Sequence, residues 1–297
     1  MIHAKAVTKT FDSVKALDGL DMTVENASVY GLVGCNGAGK TTLLRAISGI
    51  YRVDSGEITI DGAAVFENAA VKRKLFFIPD EHYFLPQANL DRMAAFYRGY
   101  YPDWDNAVYS KLTALFGLDR KKHLSGFSKG MQRQAAIILA LATRPACLFL
   151  DESFDGLDPV MRGLLKKLLL EYIAEKEASV VISSHNLREL EDLCDHIGLI
   201  NEKKVTFESN IDDMRKSRSK YRVAFSEDIK EEAFTQIQHK GYRQEGRIVT
   251  FIAESTPETE EKLRTLSPVL VESLPMTLEE IFMDEMEVRA YDVNNIF

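Results

Sequence analysis

Gly34-Cys35-Asn36-Gly37-Ala38-Gly39-Lys40-Thr41-Thr42 fits the spacing G-x-x-x-x-G-K-[ST], and its flanks leave few folds open to the chain. Before it, Ser28-Val29-Tyr30-Gly31-Leu32-Val33 reads as a short buried strand; after it, Thr42 to Ser48 carries apolar residues at helical spacing. Strand, glycine loop and helix is the setting that phosphate binding requires. Glycines let successive backbone N–H groups turn toward phosphate oxygens, and the helix N-terminus adds partial positive charge. In such a loop Lys40 reaches the β- and γ-phosphates and the Thr41 hydroxyl ligates Mg²⁺, while Asn36, Gly37, Ala38, Gly39 and Thr42 complete the cradle. The stretch predicts a nucleoside triphosphate site.

The composition of the chain is that of an ordinary soluble globular protein with a full core. Its 297 residues suggest about two domains. A net charge of −8 argues against nucleic acid as the main partner, because phosphate backbones are met by a basic face. The longest apolar run, Ala135 to Ala142, falls far short of the roughly 20 residues of a membrane span, and Met1-Ile2-His3-Ala4-Lys5 opens no signal peptide. Cys35, Cys147 and Cys194 are scattered without metal-ligand spacing and read as reduced thiols, so a cytosolic location is expected.

Along the chain, Ile2 to Val24 alternates in polarity around turns at Asp12-Ser13 and Asp18-Gly19, which predicts antiparallel strands. Gly56 to Ile60, closed by Asp61-Gly62, predicts another strand pair, and Leu75 to Ile78 a buried strand stopped by Pro79. Leu90 to Leu124 is aromatic-rich and helical, broken at Pro102-Asp103, and reads as a helical insertion in an α/β domain. Cys147 to Leu150 and Ser179 to Ser184 are predicted buried strands. Asp158-Pro159 starts a helix with Asp as N-cap, and Asn186 to Glu189 resembles a capping box. Strands alternating with helices imply a mostly parallel, doubly covered sheet. Beyond a polar boundary at Arg215 to Ser219, strands at Tyr221 to Phe225, Ile248 to Ala253 and Val269 to Ser273 are expected. They alternate with helices at Glu231 to His239, Pro257 to Leu266 and Leu278 to Arg289, an α+β unit.

Four further pieces narrow the chemistry. Leu148-Phe149-Leu150-Asp151 is an apolar strand delivering a carboxylate where a second Mg²⁺ contact is needed, and Glu152 follows it, suited to polarise an attacking water. Ser125-Gly126-Phe127-Ser128-Lys129-Gly130-Met131-Gln132 opens the apolar helix and offers either an ordinary cap or an anion site. Gly156-Leu157-Asp158-Pro159 comes next, and His185 ends a strand on the side where open α/β sheets bind ligands.

In this order the pieces resemble the ATPase subunit of an ABC transporter over residues 1 to about 210. The matching elements are Walker A at Gly34 to Thr42 and the signature Phe127-Ser128-Lys129-Gly130-Met131. Walker B with its acid lies at Leu148 to Glu152, the D-loop at Gly156 to Asp158, and the switch histidine at His185. The signature departs from the commonest Leu-Ser-Gly-Gly-Gln. It is similar to a variant of bacterial export-type ATPases related to bacitracin and antimicrobial-peptide resistance, as are Tyr101 to Asp105 and Met276 to Met283. The resemblance implies an α/β P-loop NTPase fold. This would be a RecA-like core with antiparallel β and helical subdomains over 1–215 (helical part about 88–140), followed by a small α+β accessory domain over 219–297. It implies ATP and Mg²⁺ as cofactors, with Lys40, Glu152 and His185 catalytic. Thr41, Asp151 and Asp80 would stand at the metal and Phe11 under the adenine, with Ser128, Gly130 and Asp158 reaching nucleotide across a head-to-tail homodimer. Asp80 stands where the family usually has Gln; an ionised acid ligates metal but donates no hydrogen bond, and Gln87 is the alternative amide nearby.

The resemblance also implies a separate integral-membrane permease and a peripheral place on the inner face of the cell membrane. The region Leu90 to Leu124 would receive the permease, and its aromatics Phe96, Tyr97, Tyr100, Tyr101 and Trp104 would serve as core or as contact. A permease-free soluble ATPase with a regulatory role is the alternative. A GTP switch is disfavoured, since the Asn-Lys-x-Asp base-reading motif is missing from the sequence.

Overall fold

The computed structural model describes residues 1–281. The chain forms two compact units that divide between Glu208 and Ser209.

The first unit opens with β1 (Ile2–Phe11) and β2 (Val14–Val24), a hairpin joined through Asp12. Then come β3 (Val29–Val33), α1 (Lys40–Ile47), β4 (Ser55–Ile60), the short β5 (Ala63–Ala64) and α2 (Ala69–Lys72). They are followed by β6 (Leu75–Ile78), α3 (Leu90–Arg98), α4 (Asn106–Phe116) and α5 (Lys129–Ala142). The unit closes with β7 (Cys147–Asp151), α6 (Pro159–Lys176), β8 (Ser179–Ser184), α7 (Leu187–Leu190), β9 (His196–Asn201) and β10 (Lys204–Asn210).

Two sheets result. An antiparallel one has the order β2-β1-β4-β5, so the expected strand pair at Gly56 to Ile60 joins the N-terminal hairpin through β1. The other runs β10-β9-β3-β8-β7-β6, with β3, β6, β7, β8 and β9 paired in parallel. Parallel strands covered on both faces need apolar residues throughout, and every residue of β3, β7 and β8 is buried. The core between the sheets unites Ile2, Val7, Leu17, Leu20, Leu43, Leu44, Ile47, Phe149 and Val181. Full burial of each such side chain stabilises the fold by about 1.5–3 kcal/mol. The aromatic region forms α3 and α4, capped by Asn89 and Asp105 and broken between them at Pro102-Asp103 as predicted. The Asn186 cap differs from prediction. Asn186 accepts from Arg188 N, but Glu189 turns to the Ser184 hydroxyl at 3.0 Å and to Arg162 at 3.3 Å instead of closing a capping box.

The first helix of the second unit, α8 (Ile211–Ser217), runs directly into β11 (Arg218–Ala224) through the polar stretch at which a domain boundary was expected. β12 (His239–Glu245), β13 (Ile248–Glu254), α9 (Pro257–Thr265) and β14 (Leu270–Pro275) complete it, with antiparallel order β12-β13-β11-β14. The helix predicted at Glu231 to His239 is corrected. Only Glu231–Phe234 makes a 3₁₀ turn, and the chain then turns into β12, a strand whose polar sequence HKGYRQE carries no apolar alternation. Phe234 is the reason: it is fully buried against Phe251, Phe225 and Tyr242, and that packing outweighs helical continuation. Of the helix expected at Leu278 to Arg289, Leu278–Ile281 is helical and residues 282–289 lie outside the described residues.

Candidate active site

The ends of β3, β7 and β8 meet because these strands are neighbours in register, Val33 opposite Ser184 and Asp151 opposite Ser183. Chain leaving β3 forms the glycine loop. Gly39, at φ +116, has the Ala16 carbonyl 2.6 Å from where a Cβ would stand, and a Cβ on Gly34 would meet the Ile200 carbonyl at 2.5 Å. Both positions therefore exclude any side chain. Gly37 is also left-handed, and Lys203 fixes the loop from outside by donating to its carbonyl at 2.9 Å. α1 starts at Lys40 with no side-chain cap, so its first N–H groups point into the loop.

Lys40 is buried. Its Nζ donates to the Gly34 carbonyl at 2.7 Å and lies 3.3 Å from Glu152 Oε1. Asp151, at the end of β7, accepts from the Ser183 hydroxyl at 2.6 Å and has the Thr41 hydroxyl beside it. Burial pushes the Asp151 carboxyl above the usual carboxylate range, against the pull of those two hydroxyls. A buried carboxylate and a hydroxyl next to a loop of inward N–H groups is the donor set that a hard, oxygen-seeking divalent cation with a phosphate chain requires. The residues fit Mg-nucleotide.

Glu152 follows in the left-handed region, φ 46, with its N–H donating to Ser183 Oγ at 3.1 Å. An acid held in that conformation is costly and is kept only where the surroundings enforce it. Its Oε2 meets His185 Nδ1 at 2.9 Å, and Asp155 Oδ2 lies 3.9 Å from the same nitrogen. The Glu152 hydrogen bond is the main reason the His185 imidazole holds its proton above its ordinary value. Two carboxylate oxygens and a ring nitrogen, from Glu152, Asp155 and His185, thus lie within 4.8 Å of one another.

Asp80 forms an ion pair with Arg133 of α5 at 3.0 Å. Beside that pair, burial and the Arg133 charge push the His82 imidazole down to about 4, and neither of its ring nitrogens has a hydrogen-bond partner among the described residues. Ser128 caps α5, accepting from Met131 N at 3.2 Å, and Gly130 lies against the Gly156 carbonyl. Asp158 caps α6, accepting from Val160 N and Met161 N at 3.0 Å each. Phe11 is two-fifths exposed and meets Tyr51 edge-on at 5.2 Å, with Arg45 donating to the Tyr51 hydroxyl. Ser183, Arg133, Asp155 and Tyr51 escaped sequence reasoning. The serine before Ser184-His185 was the one legible signal.

The model of the ABC transporter family matches residues 17–155. The chain is 30% identical over 287 residues to YtrB, an ABC transporter ATP-binding protein of Bacillus subtilis (strain 168), spanning 95% of this chain and 97% of that one. It is 32% identical over 224 residues to BcrA, the bacitracin transport ATP-binding protein of Bacillus licheniformis, spanning 74% of this chain and 73% of that one. Among solved structures, an ATP-binding subunit of an ABC transporter superposes with TM-score 0.67 at 25% identity, over 72% of this chain and 92% of that one. The dimeric post-hydrolysis cassette MJ0796, bound to ADP and Pi, shares the fold with TM-score 0.65 at 20% identity, over 71% of this chain and 99% of that one. Full-length likeness, the matching family model and the triphosphate-type loop agree: the chain belongs to the ATP-binding proteins of ABC transporters, whose ATP hydrolysis is coupled to transport.

Proposed function

We propose that this chain energises a bacterial exporter of a drug, antimicrobial peptide or other amphipathic substrate, working as a homodimer on the inner face of the membrane with a separate permease. The observation that carries the reading is the convergence of Lys40, Asp151, Glu152 and His185 at three adjacent strand ends. The likeness to YtrB and BcrA and the Phe-Ser-Lys-Gly-Met signature support the export branch. Among the described residues no helix is long and apolar enough to cross a membrane, which agrees with a separate permease.

In this reading Asn36 to Thr42 hold the phosphates through backbone N–H groups, Lys40 through its amine, and Phe11 carries the adenine. Thr41 and Asp151 hold Mg²⁺, which when bound neutralises charge on the β- and γ-phosphate oxygens. Glu152 takes the proton of the attacking water. With Lys40 on one oxygen and His185 on the other, its carboxylate is fully engaged. Transfer of Lys40 to phosphate removes the ion pair that holds Oε1 and leaves the carboxylate free to turn toward the water, so binding itself arms the base. Asp80 joins the metal site only by exchanging its Arg133 partner, which ties that exchange to α5 and its Ser128-Gly130 edge. That edge, with Asp158, closes over the nucleotide of a second copy. An apolar groove of about 410 Å³ between α2 and α3, lined by Phe96, Tyr97, Tyr100 and Tyr101 together with Lys72 and Arg73, suits a permease segment.

The test is the Glu152→Gln protein with ATP. It should sediment as a dimer and co-purify with a polytopic membrane protein, and the co-purification should be lost in Tyr100→Ser. A protein that stays monomeric with ATP, alone and beside its membrane companion, overturns the reading and leaves a permease-free ATPase in its place.

A further inference from the structure

Asp155 takes no part in the roles proposed for the site, yet it faces one of the groups that do. It lies in the turn Ser153 to Leu157 between β7 and α6, and the turn is pinned: Ser153 and Phe154 are buried, and Asp155 N donates to the Glu152 carbonyl at 3.2 Å. From this fixed position Asp155 Oδ2 stands 3.9 Å from His185 Nδ1, while Glu152 Oε2 stands 2.9 Å from it. At 3.9 Å the first contact is charge against charge and the second is a hydrogen bond. His185 has a single Nδ1–H, so one carboxylate accepts it at a time.

Glu152 is also the acid proposed to accept the water proton, and a carboxylate that turns to water releases the imidazole. His185 is half exposed, so packing alone would then confine the ring only weakly. Asp155 is the acceptor next in reach. The charged groups that face His185 are Glu152, Asp155 and Lys40; both carboxylates favour its protonated form and Lys40 opposes it.

We propose that Asp155 is a positioning residue for His185, accepting its Nδ1–H when Glu152 turns to the attacking water, so that the ring keeps its orientation and its Nε2–H remains a donor toward the γ-phosphate. The inference rests on the ATPase reading of Glu152 and His185 given above.

Two measurements test it. The first is NMR titration of the full chain without nucleotide, with His185 assigned among the six histidines by the His185→Gln spectrum. In Glu152→Gln, His185 should still titrate above the ordinary value of about 6.5, and adding Asp155→Ala should return it to or below that value. Identical titrations in the single and double variants overturn the proposal. The second is steady-state hydrolysis: Asp155→Ala should lower kcat about tenfold with KM for ATP unchanged, and Asp155→Glu should recover most of the loss. An unchanged kcat in Asp155→Ala overturns it as well. The titration needs no nucleotide, so it judges the Asp155 contact even if wild-type protein failed to hydrolyse ATP, a failure that would count against the ATPase reading instead.

Discussion

The amine of Lys40 is shared between the Gly34 carbonyl, 2.7 Å away, and Glu152 Oε1, 3.3 Å away, so the phosphate-loop lysine and the acid after β7 hold one another. Both side chains are largely buried, where an ion pair is screened little and loss of one partner strands the other. The arrangement separates two functions by mutation. Glu152→Gln is expected to slow steady-state ATP hydrolysis by about 10²–10⁴-fold, the range for losing a general base, while nucleotide still binds. Lys40→Ala is expected to weaken binding itself. Equilibrium binding of a fluorescent ATP analogue beside a phosphate-release assay checks both, and unimpaired turnover in Glu152→Gln would remove Glu152 from its role.

The pair between His185 and Glu152 makes stability depend on pH. The imidazole pKa is raised on folding, first by the Glu152 hydrogen bond. A raised value means that the stabilisation is fully present below the unfolded histidine value of about 6.5 and fades as pH climbs through the folded one. Thermal unfolding without nucleotide should therefore show a larger difference between wild type and Glu152→Gln near pH 6 than near pH 8. A difference that grows with pH would reverse the sign and refute the pairing.

Arg133 is buried and its partner Asp80 is exposed by more than half. Asp80→Ala strands the guanidinium and is expected to destabilise the fold by about 1 kcal/mol, the solvent-facing side of the pair screening the rest. Arg133→Met removes the buried charge as well as the pair and should cost less than the Asp80 change suggests. A double-mutant cycle by urea unfolding reads the coupling, expected at roughly 0.5–1 kcal/mol. Strict additivity would mean that the two side chains do not interact in solution.

Of the three thiols, Cys35 is exposed in the phosphate loop and Cys147 and Cys194 are buried, where burial pushes both thiols up, Cys147 to about 11. A thiol-alkylating reagent should therefore modify one site first, block hydrolysis, and be slowed by bound ATP. Mass spectrometry locates the adduct. Equal inactivation of Cys35→Ala would show that the block arises elsewhere.

Much of the site was legible because its parts are contiguous. Gly37 and Gly39 are needed by the local backbone path, which is left-handed at both, and Asp158-Pro159 caps and opens α6 with atoms two and three residues apart. What escaped was pairing at a distance. Arg133 lies 53 residues from Asp80, and nothing in either neighbourhood announces the other. The same applies to β12: its sequence lacks strand alternation, and it is a strand because β13 offers it an edge while buried Phe234 stops the preceding turn.

From the order of its residues alone the chain fixed a phosphate loop between strand and helix, a carboxylate delivered by an apolar strand, and a histidine at another strand end. Each depends on backbone geometry within a few residues. Only the folded chain decided that these pieces meet, because β3, β7 and β8 came to lie side by side in parallel register. It also decided partners that no spacing encodes: Lys40 on Glu152, Asp80 on Arg133 and Asp155 beside His185. Electrostatic choice falls off over ångströms in space, and distance along the chain does not report it.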